Sequence, residues 1–242
     1  MNLILLHPDD FQDNRRVFLS DQRARHIRHV LRARKGDNVR VGLINGLIGT
    51  GLIIKERGQN LELEVVLDQQ PPAPLPITLL LALPRPKMLK RILQSVSSLG
   101  VKNIFLINSY RVDKSFWGSP LLAPEKLNAQ FSLGLEQARD TVMPKITLRQ
   151  RFKPFVEDEL PHLVEGTSAY VAHPAKEETC PPGSVQPTTL AIGPEGGFIP
   201  YEIDQLKACG FIPISLGERI LRVETAVPVL LARLSSQTVR ST

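Results

Sequence analysis

Between Thr188 and Ala226 one pattern is written twice. An apolar run, Leu190 to Ile192, ends in Gly193-Pro194-Glu195-Gly196-Gly197, and helical spacing from Tyr201 to Cys209 follows before Gly210 stops it. Phe211 to Leu216 is a second apolar run, closed by Gly217, and from Thr225 onward Val227, Leu230, Leu231 and Leu234 share one helical face. Strand, glycine turn and helix in that alternation point to an α/β fold with a mainly parallel sheet. In such sheets the turns at the carboxyl ends of strands form the ligand crevice, because backbone amides point outward there and glycine permits close approach. One such turn would signify only a tight connection; two flanking one helix point to a pocket.

The alternation extends upstream. Ile77 to Leu83 reads as a buried strand, and Lys87 to Leu99 as a helix with Met88, Leu89, Ile92, Leu93, Val96 and Leu99 at core spacing and Gly100 as its C′ residue. Val101 to Ile107 is the next strand, Pro124 to Arg139 a helix, and Lys145 to Leu148 and Ser168 to Ala172 strands, the last ending in His173-Pro174. Asn108 to Leu122 is a long polar loop with the only tryptophan, and loops of that length in compact domains are usually functional. Arg111 and Lys114 suit an RNA backbone; Trp117 suits base stacking or, more simply, anchoring of the loop. Ala175 to Gln186 is Pro-rich and reads as a flexible excursion.

Before all this lies Pro71-Pro72-Ala73-Pro74-Leu75-Pro76, four prolines in six residues, which fits neither helix nor central strand and is expected to be a stiff interdomain linker. The expected domains are therefore 1–70, the linker 71–76, and 77–242. The first reads mostly as strands: Asn38 to Leu43, an Asn45-Gly46 two-residue hairpin signal, Leu47 to Glu56, and Leu61 to Leu67 with apolar alternation. One helix interrupts them, with Ser20 as expected N-cap and Ala24, Ile27, Val30 and Leu31 as apolar stripe. Arg25, Arg28, His29 and Arg32 then fall on the opposite face.

Charge supports a polyanionic partner for that face. Residues 15 to 40 hold nine basic and two acidic side chains, so the chain's net +6 is concentrated there and the remainder sums to −1. A small β-barrel bearing such a helix suits a nucleic-acid-binding module. No segment approaches the roughly 18 continuous apolar residues of a membrane helix, and Leu3 to Leu6 is too short for a signal sequence, so a soluble, cytoplasmic protein is expected. Cys180 and Cys209 have neither the number nor the spacing of a zinc site or disulfide framework and read as reduced thiols.

GPEGG at 193–197 and LGERILRVETA at 216–226 together resemble the signature of the SPOUT methyltransferases that modify N3 of a uridine in 16S ribosomal RNA. HIRHVLRARKGD at 26–37, Leu99-Gly100-Val101, Glu136-Gln137 followed by Pro144, and His173-Pro174 occur in the order expected of that family. The resemblance implies a PUA-like β-barrel followed by a SPOUT α/β domain with a trefoil knot. It further implies S-adenosyl-L-methionine as cofactor, 16S rRNA or the small ribosomal subunit as partner, a homodimer through the C-terminal domain, and no metal. Cofactor contacts are expected at Leu83, His173, Ile192, Gly193, Pro194, Glu195, Gly196, Gly197, Leu216, Gly217, Ile220, Leu221, Arg222, Thr225 and Ala226. RNA contacts are expected at Arg25, Arg28, His29, Arg32, Arg111 and Lys114.

The chemistry selects two of these as catalytic. Uracil N3 becomes nucleophilic on losing its imide proton, and the growing negative charge spreads onto the flanking carbonyl oxygens. Arg222 is the expected cation for that charge, with pairing to Glu224 or Glu195 as the plainer alternative. Glu195 is the expected proton acceptor, or else a turn carboxylate; Glu224 with Thr225 is expected to cap the last helix. Two further readings stay open: a ribose 2′-O-methyltransferase of the same superfamily, and a non-catalytic RNA-binding assembly factor.

Overall fold

The computed structural model describes residues 2–174, 179–183 and 185–235. The chain forms two compact units, one of residues 1–73 and 131–143, the other of residues 74–130 and 144–242. Part of the Pro-rich excursion, residues 175–178 and 184, lies outside the described residues, as does the end of the expected second domain.

The first unit is a five-stranded mixed sheet. Its strands are β1 (Ile4–Leu6), β2 (Arg16–Leu19), β3 (Asn38–Leu43), β4 (Ile48–Arg57) and β5 (Asn60–Gln69), in the order β1-β3-β4-β5-β2. β1 runs parallel to β3 and the other pairs are antiparallel. All five strands, together with Ala24 and Ile27 of helix α1 (Gln22–His29), feed one core cluster, which curls the sheet around a single interior. Leu3 and Leu5 point the other way, into a cluster with Ile48 and Leu135. β1 is thus buried on both faces, which is why it reads as an unbroken apolar run.

Residues 131–143 complete this unit through the β3–β4 turn. The Asn45 amide donates to the Thr141 carbonyl (2.8 Å), and the Asn45 side-chain oxygen accepts from the Met143 amide (2.9 Å). The turn differs from the two-residue expectation. Leu43 bonds Leu47, leaving the three residues Ile44 to Gly46 as the loop, with Asn45 at φ +57°. Asparagine tolerates that left-handed conformation, and its side chain is then free to receive the incoming strap.

Helix α1 is also shorter than expected. Its N-cap is Asp21, not Ser20, and the Asp21 carboxylate accepts from the Arg23 amide at 2.9 Å. It ends at His29, and Arg32 lies at φ +57°. Val30 and Leu31, assigned by periodicity to the apolar stripe, are exposed beyond the helix end. Arg23 is a structural tie: its guanidinium meets both Asp10 oxygens (2.6 and 2.7 Å), the Asp21 carboxylate and the Leu5 carbonyl.

The second unit is a six-stranded sheet with every pair parallel. Its strands are β6 (Ile77–Ala82), β7 (Asn103–Ile107), β8 (Lys145–Arg149), β9 (Ser168–Ala172), β10 (Thr188–Ile192) and β11 (Ile212–Ile214), ordered β11-β9-β10-β6-β7-β8. β10 is buried at all five positions, as a central parallel strand must be. Helix α2 (Pro86–Ser98) buries Leu89, Ile92, Leu93 and Val96 and stops at Gly100 (φ +87°). α3 (Pro124–Ala138) follows, its C-terminal half belonging to the first unit.

Residues 152–164, which show no simple period, are helical in three pieces: α4 (Phe152–Pro154), a π-helical turn (Phe155–Glu159) and α5 (Leu160–Val164). The π turn brings Phe155 and Leu160, five residues apart, to the buried side together with Val156. α6 (Pro200–Ala208) and α7 (Val223–Leu234) close the described chain, and α7 packs on α2.

Candidate functional site

Sheet order decides where a ligand can sit. From β6 the chain winds toward β7 and β8, whereas from β10, the neighbour of β6, it winds the other way toward β11. Ligand crevices in open α/β sheets open at such a switch point, outside the carboxyl ends of the strands. The turn after β6 is Leu83-Pro84-Arg85 and the turn after β10 is Gly193 to Gly197. Register carries the same edge across the sheet, since Ile192 pairs with Leu81 and Ala172, and Ala172 with Ile214. The turns after β6, β9, β10 and β11 therefore lie along one border, bringing Leu83, His173, Gly193 to Gly197, and Leu216 with Gly217 to one edge.

The glycine turn is tight and braced. A Cβ at Gly193 would lie 2.9 Å from the Phe198 amide nitrogen, so the position admits glycine alone without backbone movement. The Gly197 amide donates to the Pro194 carbonyl at 2.7 Å, closing the turn with Gly197 at φ +71°. Glu195 accepts from the Arg85 amide (3.2 Å), with the Arg85 guanidinium 4.0 Å from the same oxygen, joining the two turns that flank the switch point. Arg111 donates to the Gly196 carbonyl, so this expected RNA contact is held against the turn. Lys114 is exposed in the same loop, where the Trp117 indole donates to Asn108 (2.9 Å) and anchors it.

Glu202 braces the loops on this side of the sheet, and sequence reading missed it. Although it is 3% exposed, both its oxygens are used: one accepts from the Tyr110 amide (2.7 Å), the other from the Ile199 amide (3.0 Å). It thereby ties the loop after β7 to the start of α6. The available signal was its place three residues after Ile199, with Pro200 between, the spacing of a carboxylate that caps a helix start.

The second turn is more open. Gly217, at φ +104°, has no atom within 4 Å of where a Cβ would lie. Ile220, expected to cover the pocket, is instead 86% exposed, and Leu221 is half-buried. The N-cap of α7 is Arg222, whose carbonyl accepts from the Thr225 (2.9 Å) and Ala226 (2.8 Å) amides; Glu224 and Thr225 lie within the first turn and do not cap it. Among the described residues the Arg222 side chain has no ion pair, so the expected alternative of Glu224 or Glu195 as its partner is not what forms. It is an exposed cation between Gly217 and α7.

On α1 the four expected RNA contacts separate. Arg25, His29 and Arg32 are exposed, whereas Arg28 is held down: it donates to the Gly58 carbonyl and lies 3.9 Å from Glu56. Among the described residues no helix is long and apolar enough to cross a membrane, and no group of His, Cys, Asp and Glu could hold a metal ion.

Comparison with known proteins divides the chain at the proline break. Residues 71–235 match the RNA methyltransferase domain model and residues 19–66 the RNA methyltransferase PUA domain model. The ribosomal RNA small subunit methyltransferase E of Treponema pallidum is 31% identical over 232 residues, covering 93% of this chain and 87% of its own. The chain belongs to the ribosomal RNA small subunit methyltransferase E family. The Synechocystis member is 29% identical, with 91% of this chain and 73% of its own covered. A crystal structure of the Neisseria gonorrhoeae member bound to S-adenosyl methionine shares the fold, with a TM-score of 0.74 at 22% identity over 96% of this chain and 95% of its own. As a family member, the chain is an RNA methyltransferase.

Proposed function

We propose that this RNA methyltransferase transfers the methyl group of S-adenosylmethionine to N3 of a uridine in 16S ribosomal RNA. The carrying observation is that both glycine turns follow carboxyl ends of strands along one border of the sheet, the first at the β6/β10 switch point and the second after β11, with Arg222, free of an ion pair among the described residues, between the second turn and α7. The turns fit a nucleoside-bearing cofactor. Open space lies over Gly197 and Gly217, so a ligand can approach backbone amides and carbonyls there, while Leu83, Ile192 and Pro194 supply buried apolar wall. In this reading His173, Leu216, Leu221 and Ala226 also meet the cofactor, with Ile220 and Thr225 at its exposed side. S-adenosylmethionine, when bound there, supplies an activated methyl on a sulfonium.

The chain's own residues then orient the uracil and stabilise its charge. Arg222 sits beside a carbonyl oxygen and favours the ionised imide, while the Glu195 carboxylate is the acceptor for the N3 proton. In-line positioning in a water-poor crevice is what such a transfer requires. In this reading the first unit holds RNA through Arg25, His29 and Arg32, and Lys114 adds a backbone contact. The second unit pairs with a second copy to form a homodimer, no metal takes part, and the enzyme works in the cytoplasm. The trefoil knot belongs to the same reading and is supported by the insertion of β10 between β9 and β6.

The test is nucleoside analysis of small-subunit RNA from a strain lacking this chain, with and without complementation. Loss of 3-methyluridine that the intact gene restores is expected. Loss of a 2′-O-methyl nucleoside instead, or an unchanged profile, overturns the proposal.

A further inference from the structure

A cleft of about 260 Å³ opens on the outer face of the first unit's sheet, away from α1's cationic residues in sequence and built from β2, β4 and β5. Pairing register makes it. Phe18 of β2 stands opposite Glu62 of β5, which stands opposite Lys55 of β4, and Arg57 stands opposite Asn60. Strand alternation sends Val17, Leu19, Leu61 and Leu63 into the core, so Arg16, Phe18, Asn60 and Glu62 face outward.

β4 reaches this face by an irregularity. Ile53 is in the core, and simple alternation would send Lys55 and Arg57 inward after it. The register slips between Ile53 and Lys55, so Ile54 is the extra residue, Lys55 and Arg57 turn outward, and Glu56 turns inward to its pairing with Arg28. Bulges are over-represented at sheet edges, at barrel rims and beside active sites, where they re-aim side chains.

The resulting lining has three cations, Arg16, Lys55 and Arg57, against the single carboxylate of Glu62, with one aromatic ring between them. Glu62 is 3.8 Å from Arg16, and among the described residues neither Lys55 nor Arg57 has an ion pair. Phe18 is half-buried in a cleft otherwise lined mainly by polar groups. A ring in a wet, cationic cleft has one well-matched occupant: an unpaired nucleotide, whose base stacks on the ring and whose phosphates meet the cations.

We propose that this cleft binds one unpaired nucleotide of the RNA substrate, with the base on Phe18 and the flanking phosphates on Arg16, Lys55 and Arg57. It adds residues of β2, β4 and β5 to the RNA contacts proposed on α1, none of whose residues lines the cleft. The inference rests on the reading of the chain as an RNA-modifying enzyme. It does not depend on which atom is methylated.

The experiment measures fluorescence anisotropy of the full chain with a labelled 12-nucleotide single-stranded RNA and with a duplex of equal length, across a salt series and without cofactor. Phe18→Leu keeps bulk but removes the stacking face; it is expected to weaken single-strand binding roughly tenfold with an unchanged salt slope, and Phe18→Tyr to restore it. Lys55→Ala with Arg57→Ala is expected to lower the single-strand log-log salt slope by about 1.4. Wild-type affinity in Phe18→Leu, or a wild-type slope in the double variant, overturns the proposal. So does equal competition by polyglutamate that is insensitive to Phe18, which would mark a surface for an acidic protein. Nucleoside analysis showing no 3-methyluridine change, with these binding effects intact, would overturn the assigned reaction and leave the cleft standing.

Discussion

At the scale of single residues, Arg222 and Glu136 carry opposite kinds of consequence. Neutral uracil offers Arg222 only carbonyl dipoles, whereas the ring gains negative charge on the way to transfer, so the cation's effect is differential and falls on turnover. Arg222→Ala is expected to lower the single-turnover rate by about 10² to 10³ at saturating RNA and cofactor, with the loss shrinking as pH rises and the imide ionises unaided. A normal saturated rate with weakened RNA binding would reassign Arg222 to the backbone. Glu136 concerns stability. It is 7% exposed in the first unit, and burial pushes its carboxyl from the ordinary 4.5 up to about 7, against the opposing pull of Arg23 and the Leu5 amide. Between those values the unfolded chain has lost the proton that the folded chain keeps, so stability falls as pH rises from 4.5 to about 7 and then levels off. Glu136→Gln keeps an acceptor for Leu5 without the charge. Its melting temperature is expected to exceed the parent's at pH 8 and to match it near pH 4; the same difference at both values would refute the burial argument.

At the scale of elements, two predictions separate contact from support. The exposed Arg25 of α1 and Arg32 just beyond its end are the phosphate candidates, and replacing both with alanine is expected to reduce the log-log salt slope for RNA by about 1.4 to 1.8. Arg28→Ala is expected to lower the melting temperature, because it releases α1 from Gly58 and Glu56. An unchanged slope in the double variant would make that face merely solvated. In the glycine turn, a Cβ at Gly196 would come 2.9 Å from Cδ of Arg111, a flexible side chain that can move aside. Gly196→Val is thus expected to abolish S-adenosylmethionine binding in calorimetry while the chain stays folded, and Arg111→Ala to weaken it only a few-fold. If Arg111→Ala removed binding as fully, the glycine would act through the arginine and not through room for the cofactor. Element types were largely legible from residue spacing: β3 and β9 run over the expected residues, and α2 and α3 agree within a residue at each end. Element ends were not, because Asp21 outcompeted Ser20 for a cap and Arg222 took the start of α7 through backbone bonds alone.

At the scale of the whole molecule, the proposed homodimer predicts a light-scattering mass of about twice 26.9 kDa at micromolar concentration. A persistent monomer with full methyl transfer would remove the second copy from the mechanism. Charge is a molecular property too, and the basic excess of residues 15–40 is distributed differently in three dimensions from the way it reads on the line. Arg23 is consumed by Asp10 and Asp21, Arg28 is turned to Glu56, and Arg16 faces a cleft with Lys55 and Arg57.

The linear text by itself determined the α/β class, the proline break within which the first unit gives way to the second, and the glycine turns that follow β10 and β11, since each rests on neighbours a few residues apart. Only the tertiary structure decided that β10 lies between β9 and β6, making the switch point, and that residues 131–143 belong with the first unit. The same is true of Glu202 joining two loops and of the slip at Ile54 that turns two cations outward. These depend on pairings between segments far apart in sequence, whose register and partners follow from packing a common core and leave no period in the chain itself.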